Sequence, residues 1–275
     1  MMPRTRFWPL LAFGLFVLSL PLLAGYLWLL VSAFSFQVHG LKPMGGLTLE
    51  HWRFLLEPIG QRPPIGRVLL NSFVYALGVA FLVVLASSMA AYALSRLAFR
   101  GRGFYLGLVL VLHAFPAVSL LIGIFYVLQL LGLFDTLAGV ILVQASLFLP
   151  LGIWLMKGFF DAIPWDLERA ALVDGASRWI FFLRIALPLV RPGLFALGTF
   201  VFIAAWGEFI LPYTLIVSSR AWTLALYLQS LLGAVDLADY GLVAAVGLFY
   251  LLPVLVLFLV GQRFLLTIYG GGVKG

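Results

Sequence analysis

Asp166, Glu168, Arg169, Asp174 and Arg178 fall within the sixteen residues PWDLERAALVDGASRW, Pro164 to Trp179, of an otherwise oily chain. Small residues lie between the charges: Ala170, Ala171, Gly175 and Ala176. Charge combined with slimness suits ionic contact with a second surface at close range. Glu208 is the other chemically pointed group, the one ionisable residue between Arg191 and Arg220. Catalysis finds no support. No G-x-S-x-G-like nucleophile and no pair of aspartates stands within the apolar runs. No G-x-x-x-x-G-K-[ST] phosphate loop exists, because Lys42, Lys157 and Lys274 are followed by Pro, Gly and Gly. His39, His51 and His113 lie far apart without ligand spacing, so no metal site is expected. The chain has no cysteine, which excludes disulfides and thiolate ligands.

The elements that must carry these groups are membrane helices. The 275 residues are 64% hydrophobic and 10% charged, with a mean hydropathy of +1.15. A soluble domain carries roughly 25% charged residues. The net charge of +7 could suggest nucleic acid, but there are three lysines and the arginines flank apolar runs, so no nucleic-acid partner is expected. A bilayer crossing needs about 20 predominantly apolar residues, and strand-type alternation is absent. The charge-free gaps therefore predict an all-α membrane protein, a bundle of six transmembrane helices, near 10–34, 68–95, 104–131, 137–157, 194–217 and 241–262. The first gap, Arg6 to Lys42, exceeds a signal-peptide core of about 7–15 apolar residues, so an uncleaved first span is expected.

Basic residues are retained on the cytoplasmic side. With the N-terminus inside, that side holds Arg4, Arg6, Arg96, Arg100, Arg102, Lys157, Arg169, Arg178, Arg184, Arg191, Arg263 and Lys274. The other side holds Lys42, Arg53, Arg62, Arg67 and Arg220. Both ends are thus expected inside, with residues 158–193 as a cytoplasmic loop. Residues 35–66 form the extracytoplasmic loop, whose run LTLEHWRFLLE predicts a short amphipathic helix. Small residues four apart (Ala76 with Ala80, Ala86 with Ala90, Ser87 with Ala91, Gly241 with Ala245) predict close helix packing.

Within 158–193, Pro164 suits a first helical turn and Asp166 and Glu168 favour its positive end. Gly175 can end that helix in the left-handed conformation, and Ser177 can cap the next one, running through RWIFFLRIAL to Pro188. The segment reads as helix, sharp glycine corner, helix. By pattern alone, a corner that plugs into a cleft on another protein and a solvated loop with an interfacial helix both remain open.

The run ERAALVDGASRWIFFLRIALPLVRP resembles the coupling loop of membrane permeases of ATP-binding-cassette importers, an E-A-A followed after three residues by Gly and then by an apolar helix ending in Leu-Pro. Ala170, Ala171, Gly175, Ala176, Leu187 and Pro188 match. NSFVYALGVAFLVVLASSMAAYALSRLAFRGR at 71–102, AWGEFILP at 205–212 and the terminal GGGVKG are similar to the carbohydrate branch, specifically its maltose-type second permease. One position departs: the acid of E-A-A falls on Arg169, and Glu168 is displaced by about 100° around a helix. The resemblance implies a type I importer permease that hydrolyses nothing itself and binds no cofactor. ATP and magnesium would sit on two partner ATPase subunits, which grip the 164–178 elbow as a lever. A second, homologous permease, an extracytoplasmic solute-binding protein and a sugar substrate complete the expected assembly. The tail Gly272, Val273, Lys274 and Gly275 either reaches the ATPases or frays.

For the cargo path the candidates are Glu208, Trp206, Tyr213 and Asn71. A carboxylate inside a span must face the bundle interior, and aromatic faces beside polar groups suit sugars. The alternative for Glu208 is a structural hydrogen bond to a neighbouring helix; for His113, a bond to a backbone carbonyl; for Asn71, an anchor at the start of its helix. Rival functions are a permease for another polyol-type solute such as glycerol phosphate, an ion-driven secondary transporter and a scaffold without transport. The secondary transporter would call for several intramembrane acids and repeated, interrupted helices, which are not apparent.

Overall fold

The computed structural model describes residues 8–39, 42–233 and 238–270. Helices dominate, and the all-α membrane class holds. Four of them are long and apolar enough to cross a bilayer: α1 (Trp8–Phe34), α2 (Ile65–Arg96), α5 (Leu137–Asp161) and α12 (Tyr240–Gly270). Two bent pairs bring the number to six if each is one span. The first pair is α3 (Arg102–His113) with α4 (Ala117–Leu130), bent by 99°. The expected uninterrupted span 104–131 is therefore broken. Pro116 is the cause: it lacks an N–H and disfavours helical backbone at Phe115, and it stands extended at φ −65°, ψ 128° as the cap of α4. The second pair is the run Arg178–Leu189 with α9 (Arg191–Trp206), bent by 73°. The expected span 194–217 is also interrupted, since α9 stops at Trp206 and α10 (Ile210–Leu215) begins beyond Gly207 and Glu208.

The chain divides into two compact units, Met1–Pro64 with Leu228–Leu252, and Ile65–Tyr227 with Pro253–Gly275. In the first, α1 leads into an antiparallel hairpin of β1 (Ser35–His39) and β2 (Lys42–Leu47), where Val38 pairs with Pro43 and His39 with Lys42. This hairpin was not expected from the sequence. Phe36 and Val38 alternate with polar neighbours, but so short a period-two run is masked by the apolar stretch before it. The amphipathic run follows as a short helix of the 3-10 type, Glu50–Leu55. It buries His51 and Phe54, whose ring meets that of Phe249 edge-on at 5.7 Å. His51 Nε2 donates to the Ser35 carbonyl at 2.9 Å. Any side chain at Gly241 would collide with that imidazole, which accounts for one of the predicted small residues.

The second unit is built around α2, which packs along α5 and α9. Ala76, Ala80, Ser87 and Ala91 are buried in it, and α5 comes so close that a Cβ on Gly152 would strike Ser87 Oγ. Ala86 is exposed and Ala90 half-buried, so that pair does not pack as expected. Phe81 and Leu85 point outward with other large apolar side chains, as a hydrocarbon surrounding favours. Asp135, between α4 and α5, accepts the N–H groups of Val217 at 2.7 Å and Ser218 at 2.8 Å. These hydrogen bonds, that of Ser218 foremost, hold its carboxyl below the usual range against the opposing effect of partial burial.

Candidate functional site

The elbow begins with α6 (Trp165–Val173), entered through Pro164 at φ −58°, ψ 137°. Pro164 stands at the cap rather than inside the first turn. Asp166 and Glu168 occupy that turn. Gly175 adopts φ +84°, and the corner closes by two backbone bonds, Ala176 N–H to Ala171 O at 2.9 Å and Gly175 N–H to Leu172 O at 3.1 Å. This paired closure is the Schellman arrangement, which satisfies carbonyls that a helix end leaves open. Ser177 Oγ then accepts the Ile180 N–H at 3.2 Å and caps α7 (Arg178–Phe181). A π-helical turn, Phe182–Ala186, and the short α8 (Leu187–Leu189) follow.

Asp166, Arg169, Ala170, Asp174 and Gly175 are exposed, Ala171 is buried and Ala176 half-buried. Val173, at the tip, is 86% exposed. Arg169, standing where the acid of E-A-A was sought, points outward beside Asp166, with Nη1 to Oδ1 at 3.8 Å. Glu168 does the opposite. It is buried, with Oε2 3.7 Å from Arg96 Nε and Oε1 4.0 Å from Arg178 Nε. A carboxylate so enclosed is spent within its own chain and offers a partner no exposed charge.

Arg96, at the end of α2, is the residue that sequence reading did not single out. Its Nη2 donates to the carbonyls of Phe160, at 2.7 Å, and Ile163, at the C-terminal end of α5, where cations are favoured. Its guanidinium lies 4.6 Å over the Trp165 ring, a cation–π contact. Ser95 Oγ donates to Asp161 Oδ1 at 2.6 Å, and Lys157 pairs with the same carboxylate. The ends of α2 and α5 thus form a polar seat on which α6 and α7 rest. In the sequence Arg96 reads only as one more basic residue beside a span.

A second feature lies halfway along α5, at the bend between α3 and α4 and beside the break after α9. It is a cavity of about 460 Å³ whose lining includes His113, Phe115, Gln144, Ser146, Phe148 and Glu208, within the roughly 300–1,000 Å³ typical of small-molecule sites. Gln144 is buried, and its amide makes no hydrogen bond to any described residue. Pro150 lies inside α5 and gives no N–H to the carbonyl one turn earlier. Glu208 Oε1 accepts the Leu211 N–H at 3.1 Å, so the alternative structural bond exists but runs within its own segment and engages one oxygen. His113 bonds no backbone carbonyl among the described residues. A larger groove of about 520 Å³ along α2 and α9 is lined by apolar groups apart from Ser88 and Thr199 and has little with which to bind hydroxyls.

The other sequence-stated cargo candidates are not gathered there. Asn71 is spent as an anchor, its amide donating to the carbonyls of Arg220 and Trp222, each at 2.9 Å. Trp206 is buried between Phe73 and Phe202, at ring distances of 5.0 and 5.7 Å. Tyr213 is exposed, its ring tilted against that of Phe209 at 4.9 Å. Gly272, Val273, Lys274 and Gly275 lie outside the described residues. Gln144 carries a sequence signal that was passed over: it is the one amide side chain within the apolar run of α5.

A broken-helix membrane bundle carrying a capped elbow is compatible with a permease, and similarity to known proteins supplies the family. Residues 82–265 match the family described as "Binding-protein-dependent transport system inner membrane component", and the chain belongs to that family. It is similar to the trehalose transport system permease protein of Mycobacterium tuberculosis, at 35% identity over 75% of this chain and 76% of that one. With the trehalose/maltose transport system permease protein of Thermococcus litoralis it shares 32% identity over 97% and 96% of the two chains. In fold it resembles a chain of a bacterial ABC transporter that imports the acidic polysaccharide alginate, with a TM-score of 0.79, 21% identity and coverage of 96% and 98%. The chain is accordingly the multi-pass permease subunit of an ABC importer of the inner membrane, which works with a binding protein and an ATPase and is not itself an enzyme.

Proposed function

We propose that this subunit imports a sugar, a maltose- or trehalose-like disaccharide or oligosaccharide, and forms half of the path beside a second, homologous permease. Two ATPase subunits grip residues 164–178, and both termini face the cytoplasm with them. ATP drives the cycle only through differential binding to the outward- and inward-open states. The elbow therefore transmits force as a rigid lever while its docking contact persists. The observation that carries this reading is the corner itself: a capped, slim turn at Gly175 with open space around it, seated on Arg96 from behind. On the docking face, Asp166, Arg169, Ala170, Asp174 and Val173 meet the partner. Glu168 acts from behind, as a positioning residue. The similarity to two trehalose or maltose permeases supports the sugar class.

The absence of cysteine makes the test clean. A Val173→Cys variant, in the complex assembled with its ATPase, should crosslink to that ATPase, and the parental complex in proteoliposomes should take up maltose or trehalose with ATP and its binding protein. Crosslinking only to reagents confined to the outer side would overturn the orientation. Uptake that proceeds with the ATPase omitted would overturn the coupling.

A further inference from the structure

The cavity on α5 presents a particular balance of groups. Its lining includes no lysine or arginine, and Glu208 is its one carboxylate. Oε1 of that carboxylate is held by the Leu211 N–H, leaving Oε2 as a fixed acceptor. Ser146 Oγ donates to the Val143 carbonyl at 2.7 Å, so its remaining role toward the cavity is again acceptance. The donors are the Gln144 amide and, according to tautomer, the His113 ring. Phe115 and Phe148 supply apolar faces. Gln144 is 4% exposed, lines the cavity and has no hydrogen bond to a described residue, so its amide is available to a bound hydroxyl or water.

Resting on the sugar-importer reading, we propose that this cavity is a solute subsite selective for neutral sugars, in which Gln144 bonds the hydroxyls and Glu208 rejects anions. A sugar hydroxyl both donates and accepts. It can take the Gln144 N–H while giving its proton to Glu208, and C–H faces lie on the phenylalanines. An acidic sugar would bring a second negative charge beside a carboxylate that no lysine or arginine in the lining offsets, with His113 as the one basic side chain there, and like charges at short range repel. The subsite thus differs in what it admits from an importer of an acidic polysaccharide, with which the likeness is one of fold.

The experiment uses the permease–ATPase complex in nanodiscs without its binding protein, so that the receptor's own selectivity does not enter. Binding of labelled maltose, trehalose and maltobionate, the anionic counterpart of maltose, is measured at millimolar concentrations. The parental complex should bind a neutral disaccharide at least tenfold more tightly than maltobionate. Gln144→Met, close in volume but without the amide, should lose tenfold or more for the neutral sugar, and Gln144→Asn should recover part of it. Glu208→Gln, which keeps an acceptor for Leu211, should narrow the gap between maltose and maltobionate. Unchanged neutral-sugar binding in Gln144→Met, or equal affinity of the parent for maltobionate, overturns the proposal, as does a parent that binds neither neutral sugar yet still transports one with its binding protein. A complex that transports no sugar at all instead sinks the wider sugar reading, and this inference with it.

Discussion

Arg96 Nε stands 3.7 Å from Glu168 Oε2, with both side chains almost wholly enclosed. One residue ends a membrane helix and the other opens the elbow, so this pair is where the bundle meets its proposed lever. Removing one partner of a buried pair costs about 3–5 kcal/mol, because the other charge stays behind. Arg96→Met and Glu168→Gln should each lower the unfolding temperature of the purified complex and reduce coupling of ATP hydrolysis to uptake. Glu168→Gln should be the milder, since the Arg96 bonds to the α5 carbonyls survive. Additive effects in the double variant would show that the two side chains do not act as a pair.

Gly175 has φ +84° and nothing within 4 Å of where a Cβ would be. Gly175→Ala should therefore cost about 1–2 kcal/mol of local strain, without collision inside the chain. Gly175→Trp carries the same backbone strain and adds bulk at an exposed corner, so a loss beyond that of Gly175→Ala reports what docks there. ATPase activity without uptake is the expected result, and parental uptake in the assembled complex would speak against docking at the corner.

Where α2 and α5 touch, Gly152→Ala should force them apart, at about 1–3 kcal/mol for overpacking. Ser87→Ala, which removes a buried hydroxyl without a hydrogen-bond partner, should be neutral or stabilising alone. It should also relieve part of the Gly152→Ala defect, because the collision is with Oγ while the nearest Val83 carbon is 3.1 Å away. Thermal unfolding of the three variants in one detergent decides the matter.

Asp135→Ala should loosen the tie between the α4–α5 turn and residues 217–218, by about 1 kcal/mol for hydrogen bonds at a partly exposed site. The carboxyl titrates below its ordinary value in the folded chain, so its contribution is complete above about pH 4 and is lost as the pH falls through the folded value. The stability difference between parent and variant should thus be constant near neutrality and shrink in acid. A difference that grows on acidification would reverse the assigned sign.

Charge-free gaps made α1, α2, α5 and α12 legible, because each crossing excludes charge along its whole length. They could not reveal the breaks. Pro116 interrupts a run that stays apolar on both sides, and hydropathy does not register direction. Gly175 and Ser177 announced the corner because caps and left-handed turns are local chemistry. The enclosure of Glu168 was not legible for the opposite reason: its partner Arg96 lies far away in sequence, and nothing local shows that the two are buried together. Gln144 was hidden by its neutrality, since a search for charge inside spans finds Glu208 and passes an amide. The 460 Å³ hollow is an outcome of two bends, which no single segment encodes.

Trp165 lies beneath the Arg96 guanidinium at 4.6 Å, and this gives the lever its own optical gauge. Indole emission responds to a cation held over the ring and to the wetness around it. A version of the chain keeping this tryptophan and replacing the other seven of its eight would report, by the colour of its fluorescence, whether the elbow stays seated or lifts during each turnover.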